Sequence, residues 1–340
     1  MRSADFDYHL PVERIAQTPV EPRDAARLLV DRGSAAPEHR HVHDLPVLLG
    51  PGDLLVVNDT KVVPARLRLH RATGGAVEVL LLEPLDAAHH TWEALVRPAR
   101  RLVPGEVLVA AGPPPGDDVP VVRVGQRSDA GDTFNVELLG PPDELLDQHG
   151  EMPLPPYITE RLDRPDRYQT VYAREPGSAA APTAGLHLTD DLLATLRERG
   201  VRVEPVELVV GLDTFRPITT DDPLQHRMHT ERYHVPAATS AACRDAARVV
   251  AVGTTAVRAL ESAAATGRAA GRTDLFIHRG FDWQVVDVMM TNFHLPRTTL
   301  LMMIDAFVGA RWRRLYEIAL ADGYRFLSFG DAMLLDRSAR

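Results

Sequence analysis

The chain has 340 residues, 45% hydrophobic and 25% charged, the proportions of an ordinary globular protein with a large core and room for two or three domains. Its formal charge of −9, from 47 acidic and 38 basic residues, excludes a general basic field, although a local basic patch can still sit on an acidic surface. The single Cys243 excludes an intrachain disulfide and a multi-cysteine zinc site, and no apolar run reaches the roughly 18 residues that span a membrane. Fourteen histidines include no HExxH pair, so no metal is expected. The opening stretch MRSADFDYHLPVERIA has early charges and no apolar core, which predicts a cytoplasmic protein rather than a secreted one.

In chain order, Asp5–Leu10 is a short mixed segment stopped by Pro11. Ala26–Val30 reads as a strand, and Asp53–Val57 as a buried strand ending in Asn58-Asp59-Thr60-Lys61. Polar groups just past a strand's carboxyl end are where α/β folds place ligands, and they serve turns equally well. From about residue 65 to 141 the pattern changes. Arg66–His70 and Val77–Leu82 flank Gly74-Gly75, a hairpin signal. Thr91–Val96, Glu106–Ala110, Val119–Val124 and Thr133–Leu139 follow as short strands, which predicts a small all-β unit. Asp143–His149 forms a helical turn or two, and the prolines of Met152–Ile158 make that segment a rigid linker or a pocket wall.

Ala179–Leu188 is a run of small residues carrying Thr183, Gly185 and His187, with room for a ligand against the backbone. Thr189 caps a helix that stops at Gly200. Val201–Val210 reads as a buried strand with the turn Gly211–Phe215 after it. Ser240 caps a helix through Arg248, and Val249–Val252 is the next buried strand. Gly253, Thr254 and Thr255 lead from it into a helix over Ala256–Ala264. The unpaired N–H groups at that helix start favour anionic guests, while a hydroxyl there also suits plain capping. Thr266–Thr273 reads as a loop, with strands at Leu275–His278, Val285–Met290 and Tyr324–Phe329. Thr299–Val308 and Arg311–Ala321 read as helices.

Strand, polar turn and helix recur, so the predicted class is α/β, a sheet or barrel, with a barrel-like main domain as the expected form and an inserted all-β barrel. Residues 1–64 and 151–340 form the expected main domain and 65–150 the insert. Neither GxGxxG nor GxxxxGK[ST] occurs, which removes the main support for dinucleotide and P-loop readings.

The turns together resemble the S-adenosylmethionine:tRNA ribosyltransferase-isomerase family of queuosine biosynthesis. The similar stretches are LPVERIAQTP at 10–19, NDTKVVPARL at 58–67, GEMPLPPYI at 150–158, YQTVYA at 168–173 and APTAGLHL at 181–188. MHTE at 228–231, AVGTTAVRALES at 251–262, VVD at 285–287, TNFHLP at 291–296 and YRFLSFGDAM at 324–333 continue the likeness. The resemblance implies an α/β main domain, an inserted β-barrel and a cleft between them. It implies a metal-free reaction in which the ribosyl part of S-adenosylmethionine moves to the aminomethyl group of a 7-deazaguanine at the tRNA wobble position. Epoxyqueuosine forms, and adenine and methionine are released.

Such chemistry needs a base for the C5′ proton beside the sulfonium, an acid for departing adenine and a neutral acceptor amine. His187, His229, Glu231 and His294 are the acid/base candidates that the resemblance implies, with their roles undivided. Thr254 and Thr255, with Gly253 and Arg258, are candidates for the methionine carboxylate or ribose hydroxyls. Asn58, Asp59 and Asn292 are candidates for ribose or base, with Thr183 and Gly185 beside them. The family pattern His-Val-Gly-x-Gly-Thr-Phe is altered here to Val209-Val210-Gly211-Leu212-Asp213-Thr214-Phe215. Val209 removes an imidazole, and Asp213 puts a carboxylate where glycine allows close approach. Three readings therefore stand side by side. The chain is the tRNA enzyme, a paralogue using S-adenosylmethionine on a small molecule or alone, or a non-catalytic binding relative.

Overall fold

The computed structural model describes residues 1–33, 35–112, 118–128, 133–210, 218, 220–226, 228 and 230–337. It divides into two compact units. The first comprises Met1–Thr60, Pro155–Glu175 and Ala181–Arg340, and the second Lys61–Leu154 with Pro176–Ala180. No helix among the described residues is long and apolar enough to cross a membrane.

The first unit is built on nine strands: β1 (Arg27–Asp31), β2 (Glu38–His41), β3 (Asp53–Asn58), β4 (Arg202–Leu208), β5 (Glu231–His234), β6 (Arg248–Val252), β7 (Ala270–Thr273), β8 (Val288–Asn292) and β9 (Ala332–Asp336). They form one sheet in the order β7-β5-β4-β3-β6-β8-β9-β1-β2. The central run β4, β3, β6 and β8 is parallel, so these strands end at the same edge. Every residue of β3 and β8 is buried, as expected of strands covered on both faces. Leu55, Val57, Val250, Val252, Val288 and Met290 join Leu192, Leu193 and Leu196 of helix α1 (Asp190–Glu198) in one core. Helix α2 (Ala237–Asp245) packs on β4, and α3 (Gly253–Thr266) on β3, β4, β6 and β8. Helices α4 (Thr299–Val308) and α5 (Arg311–Ala321) also belong to this unit.

The sheet is the open form of the expected α/β arrangement. Antiparallel pairs β5–β7 and β1–β2 lie at its two edges, where a barrel would need further parallel strands to close. Thr189 caps α1 as expected, accepting from Leu192 N at 3.1 Å. Three local expectations fail. The edge strand is Ala270–Thr273, not Leu275–His278, because an exposed edge strand carries no apolar pattern to read. Tyr324–Phe329 is not a strand; its aromatic rings anchor a connection in which Leu327 adopts φ 70°, and the strand begins at Ala332. Helix α2 begins at Ala237 without a side-chain cap and ends before β6, so Ser240 lies inside it.

The second unit is a closed antiparallel barrel. Its strands run Arg66–Arg71, Ala76–Pro84, Thr91–Arg97, Phe134–Leu138, Val119–Arg127 and Val107–Ala110, which pairs back to the first. Phe134–Leu138 alternates buried and exposed, the period of a strand with one face in a core. Helix Pro142–His149 follows the barrel strands.

Candidate active site

The parallel strands bring distant polar turns to one edge of the sheet, the place where open α/β sheets hold ligands. A cavity opens there in the first unit, with about 590 Å³ of empty space including its mouth. Its walls are Ala181–Ala184, Gly253–Thr255 at the start of α3, Thr291–Leu295 after β8, and Leu327–Ser328 ahead of β9, with Tyr157 and Val210. None of the described lining residues is charged.

Gly253 has φ +87°, a conformation that glycine adopts freely and that turns the chain straight from β6 into α3. The helix has no side-chain cap, since Val252 occupies that position. Thr254 and Thr255 therefore do not cap it. Thr255 Oγ1 is buried without a hydrogen-bond partner among the described residues. A donor left open on a cavity wall beside free helical N–H groups is a ready binding group.

His294 stands on this wall. Its Nε2 lies 3.0 Å from Thr291 Oγ1, and its backbone N–H donates to the Tyr316 hydroxyl at 3.0 Å. The Tyr8 hydroxyl donates to its carbonyl, so both main-chain groups are held. Burial pulls the imidazole down to about 3, which keeps it neutral.

His187 lies one layer behind. Thr183 Oγ1 donates to Asn292 Oδ1 at 2.9 Å, which turns the Asn292 amide nitrogen toward His187 Nε2, 3.1 Å away. In this arrangement Nε2 accepts and the His187 proton sits on Nδ1. Burial, then the cationic Arg325, Arg167 and Arg23, bring this imidazole to about 3 as well. Asn292 and Thr183 face the cavity, whereas His187 is not among its lining residues.

The other sequence candidates fall elsewhere. Asn58 donates to Leu208 O at 3.0 Å and accepts from Leu208 N and Thr60 N, so its amide ties β3 to β4. Asp59 is buried beyond β3 and away from the cavity lining; burial, then Glu175, push its carboxyl up to about 6. Gly185 makes room for a neighbour of its own chain: a Cβ there would lie 1.9 Å from the Tyr172 hydroxyl. Glu231 and Arg258 form a buried ion pair. Burial lowers the Arg258 guanidinium to about 10, and its Nε and Nη2 have no partner among the described residues. Val209 is buried and donates to Arg232 O at 2.9 Å, continuing the pairing of β4 with β5. His229, Leu212 and Asp213 lie outside the described residues.

Tyr157, Ser328 and Thr291 were not singled out from sequence. Tyr157 and Ser328 share a 2.7 Å hydrogen bond on the cavity wall, and the proline-rich run around Tyr157 was the available signal. A group with metal-ligand chemistry, His41, His43 and Asp44, lies at the end of β2 and just after it, its ligand atoms within 4.8 Å of one another.

The family model described as queuosine biosynthesis protein matches residues 3–335. The S-adenosylmethionine:tRNA ribosyltransferase-isomerase of Symbiobacterium thermophilum is 52% identical, over 98% of this chain and 100% of its own. Its counterpart from Moorella thermoacetica is 50% identical over the same shares. A crystal structure of S-adenosylmethionine tRNA ribosyltransferase from Thermotoga maritima shares 36% identity with a TM-score of 0.55, covering 97% of this chain and 99% of that one. The chain belongs to the queuosine biosynthesis protein family.

Proposed function

We propose that this protein is a S-adenosylmethionine:tRNA ribosyltransferase-isomerase. It moves the ribosyl group of S-adenosylmethionine onto the aminomethyl group of 7-aminomethyl-7-deazaguanine in tRNA. The product is epoxyqueuosine, and adenine and methionine leave. The observation that carries this reading is the convergence of five of the family-like stretches, 150–158, 181–188, 251–262, 291–296 and 324–333, on one cavity.

His294 is the acid/base group in this reading. Its neutral imidazole has a lone pair to take the C5′ proton that the sulfonium acidifies. With Thr291 Oγ1 accepting from Nε2–H, that lone pair is on Nδ1. The imidazolium so formed then passes that proton to departing adenine. Asn292, oriented by Thr183 and His187, hydrogen-bonds ribose or base. Thr254, Thr255 and the first N–H groups of α3 take ribose hydroxyls or the methionine carboxylate. Glu231 and Arg258 support α3 from within. No step calls for a metal, so a chelator leaves turnover intact.

Calorimetry of S-adenosylmethionine binding tests the placement. Thr255→Val lowers affinity about tenfold, the size of one lost hydrogen bond in a buried site. Unchanged affinity moves the substrate elsewhere.

A further inference from the structure

A group of arginines borders the layer that holds His187. Arg23 donates to Gln169 O at 2.7 Å, Leu186 O at 3.3 Å and Asp166 O at 3.0 Å. Arg167 donates to Val20 O at 2.8 Å and lies 2.7 Å from Glu21. Arg325 donates to Thr18 O at 3.1 Å and Phe329 O at 2.9 Å. Arg164 pairs with Asp166 at 2.8 Å and approaches Glu21 at 3.9 Å.

Most of these bonds end on main-chain carbonyls, which fix a guanidinium without neutralising it. Four cations (Arg23, Arg164, Arg167, Arg325) stand with the carboxylates of Glu21 and Asp166 and with Asp331, which accepts from the Arg325 main-chain N–H at 2.8 Å, a local charge of 4 − 3 = +1 on a chain of net −9. Glu21 and Asp166 are more than half exposed, which weakens their compensation. The crowding is felt: burial and then Arg167 lower the Arg23 guanidinium below its ordinary range. Arg23 and Arg325 are half-buried and Arg164 exposed, so the group reaches solvent. Planar guanidinium forks are the side chains best suited to phosphate oxygens.

We infer that Arg23, Arg164 and Arg325, braced by Arg167, form a docking surface for the phosphate backbone of the tRNA substrate. This rests on the tRNA reading given above. An acidic protein that docks a polyanion needs such a local patch, and the patch adjoins Leu186-His187 behind the cavity.

Filter binding of substrate tRNA to the full chain across a salt series tests it, with calorimetry of S-adenosylmethionine alongside. Arg325→Gln and Arg164→Gln each weaken tRNA binding about tenfold at low salt and make the salt slope shallower by about one unit. Both leave S-adenosylmethionine affinity unchanged. Arg325→Lys loses the same carbonyl bonds as the Gln variant but keeps the charge, so it retains the slope. Arg164 is two-thirds exposed, so its variant folds even if the Arg325 variant does not. The assignment is overturned if the Gln variants match the wild type, or if Lys and Gln at 325 fall alike. A loss of S-adenosylmethionine affinity with an unchanged tRNA slope overturns it in favour of the methionine carboxylate. A wild type without salt-dependent tRNA binding removes the tRNA reading itself, and this assignment with it.

Discussion

His187 and His294 are buried to a similar depth and held neutral to a similar degree, yet they belong to different layers. His294 is on the cavity wall, its backbone gripped by Tyr8 and Tyr316 and its Nε2 held by Thr291 Oγ1. His187 stands behind Asn292, with Nε2 already accepting from that amide. A displaced pKa therefore does not separate a reacting group from a supporting one. Access to the cavity is where the two differ: His294 lines it and His187 does not. Glu231 sharpens the contrast, since it is buried as deeply but sits in an ion pair with Arg258.

The strongest way to break this comparison is through activity. His294→Gln lowers kcat by about 10²–10⁴-fold, the size of a lost general acid–base group. Single-turnover kinetics with S-adenosylmethionine and substrate tRNA measure it. Glu231→Gln acts through stability. It leaves the Arg258 guanidinium buried without its counter-charge and removes about 3–5 kcal/mol, read by urea unfolding. His187→Gln lowers kcat only about tenfold, because it merely loosens Asn292. Equal losses at 187 and 294 would dissolve the distinction between wall and layer.

The smallest effect sharpens the comparison by showing what the two histidines share. Unfolded, each imidazole binds a proton near 6.5, whereas in the folded chain each stays neutral down to about 3. Between those values the unfolded state holds more protons, so stability falls as pH drops, by about 1.4 kcal/mol per unit for each histidine. Below about 3 the two states are protonated alike and the loss levels off. Either Gln variant flattens the slope by one histidine's share. Unfolding curves at pH 7 and pH 5 check this, and a slope unchanged by both variants contradicts the buried neutral state.

The turn from β6 into α3 was legible in the sequence because its signals are local: a β-branched run, Gly253, two threonines and a helix-forming stretch. Thr189 as a cap was legible for the same reason. What the chain hides are contacts made over long separations. Asn58 read as a ligand group, but its partner Leu208 lies 150 residues away and engages both ends of the amide. Gly185 read as space for a ligand, and only the fold reveals that Tyr172 fills it. The backbone clamp on His294 comes from Tyr8 at one end of the chain and Tyr316 near the other. Which of His187, Glu231 and His294 lines the cavity was beyond sequence, because layer, not residue type, separates these three.

The central claim is that this cavity supports ribosyl transfer from S-adenosylmethionine to tRNA. Mass spectrometry of the products, with and without tRNA bearing 7-aminomethyl-7-deazaguanine, tests it most directly. The account predicts adenine and methionine released in equal amounts, only with that tRNA, and one epoxyqueuosine formed per turnover. Release of adenine without tRNA, or consumption of S-adenosylmethionine that leaves the tRNA base unchanged, would contradict it.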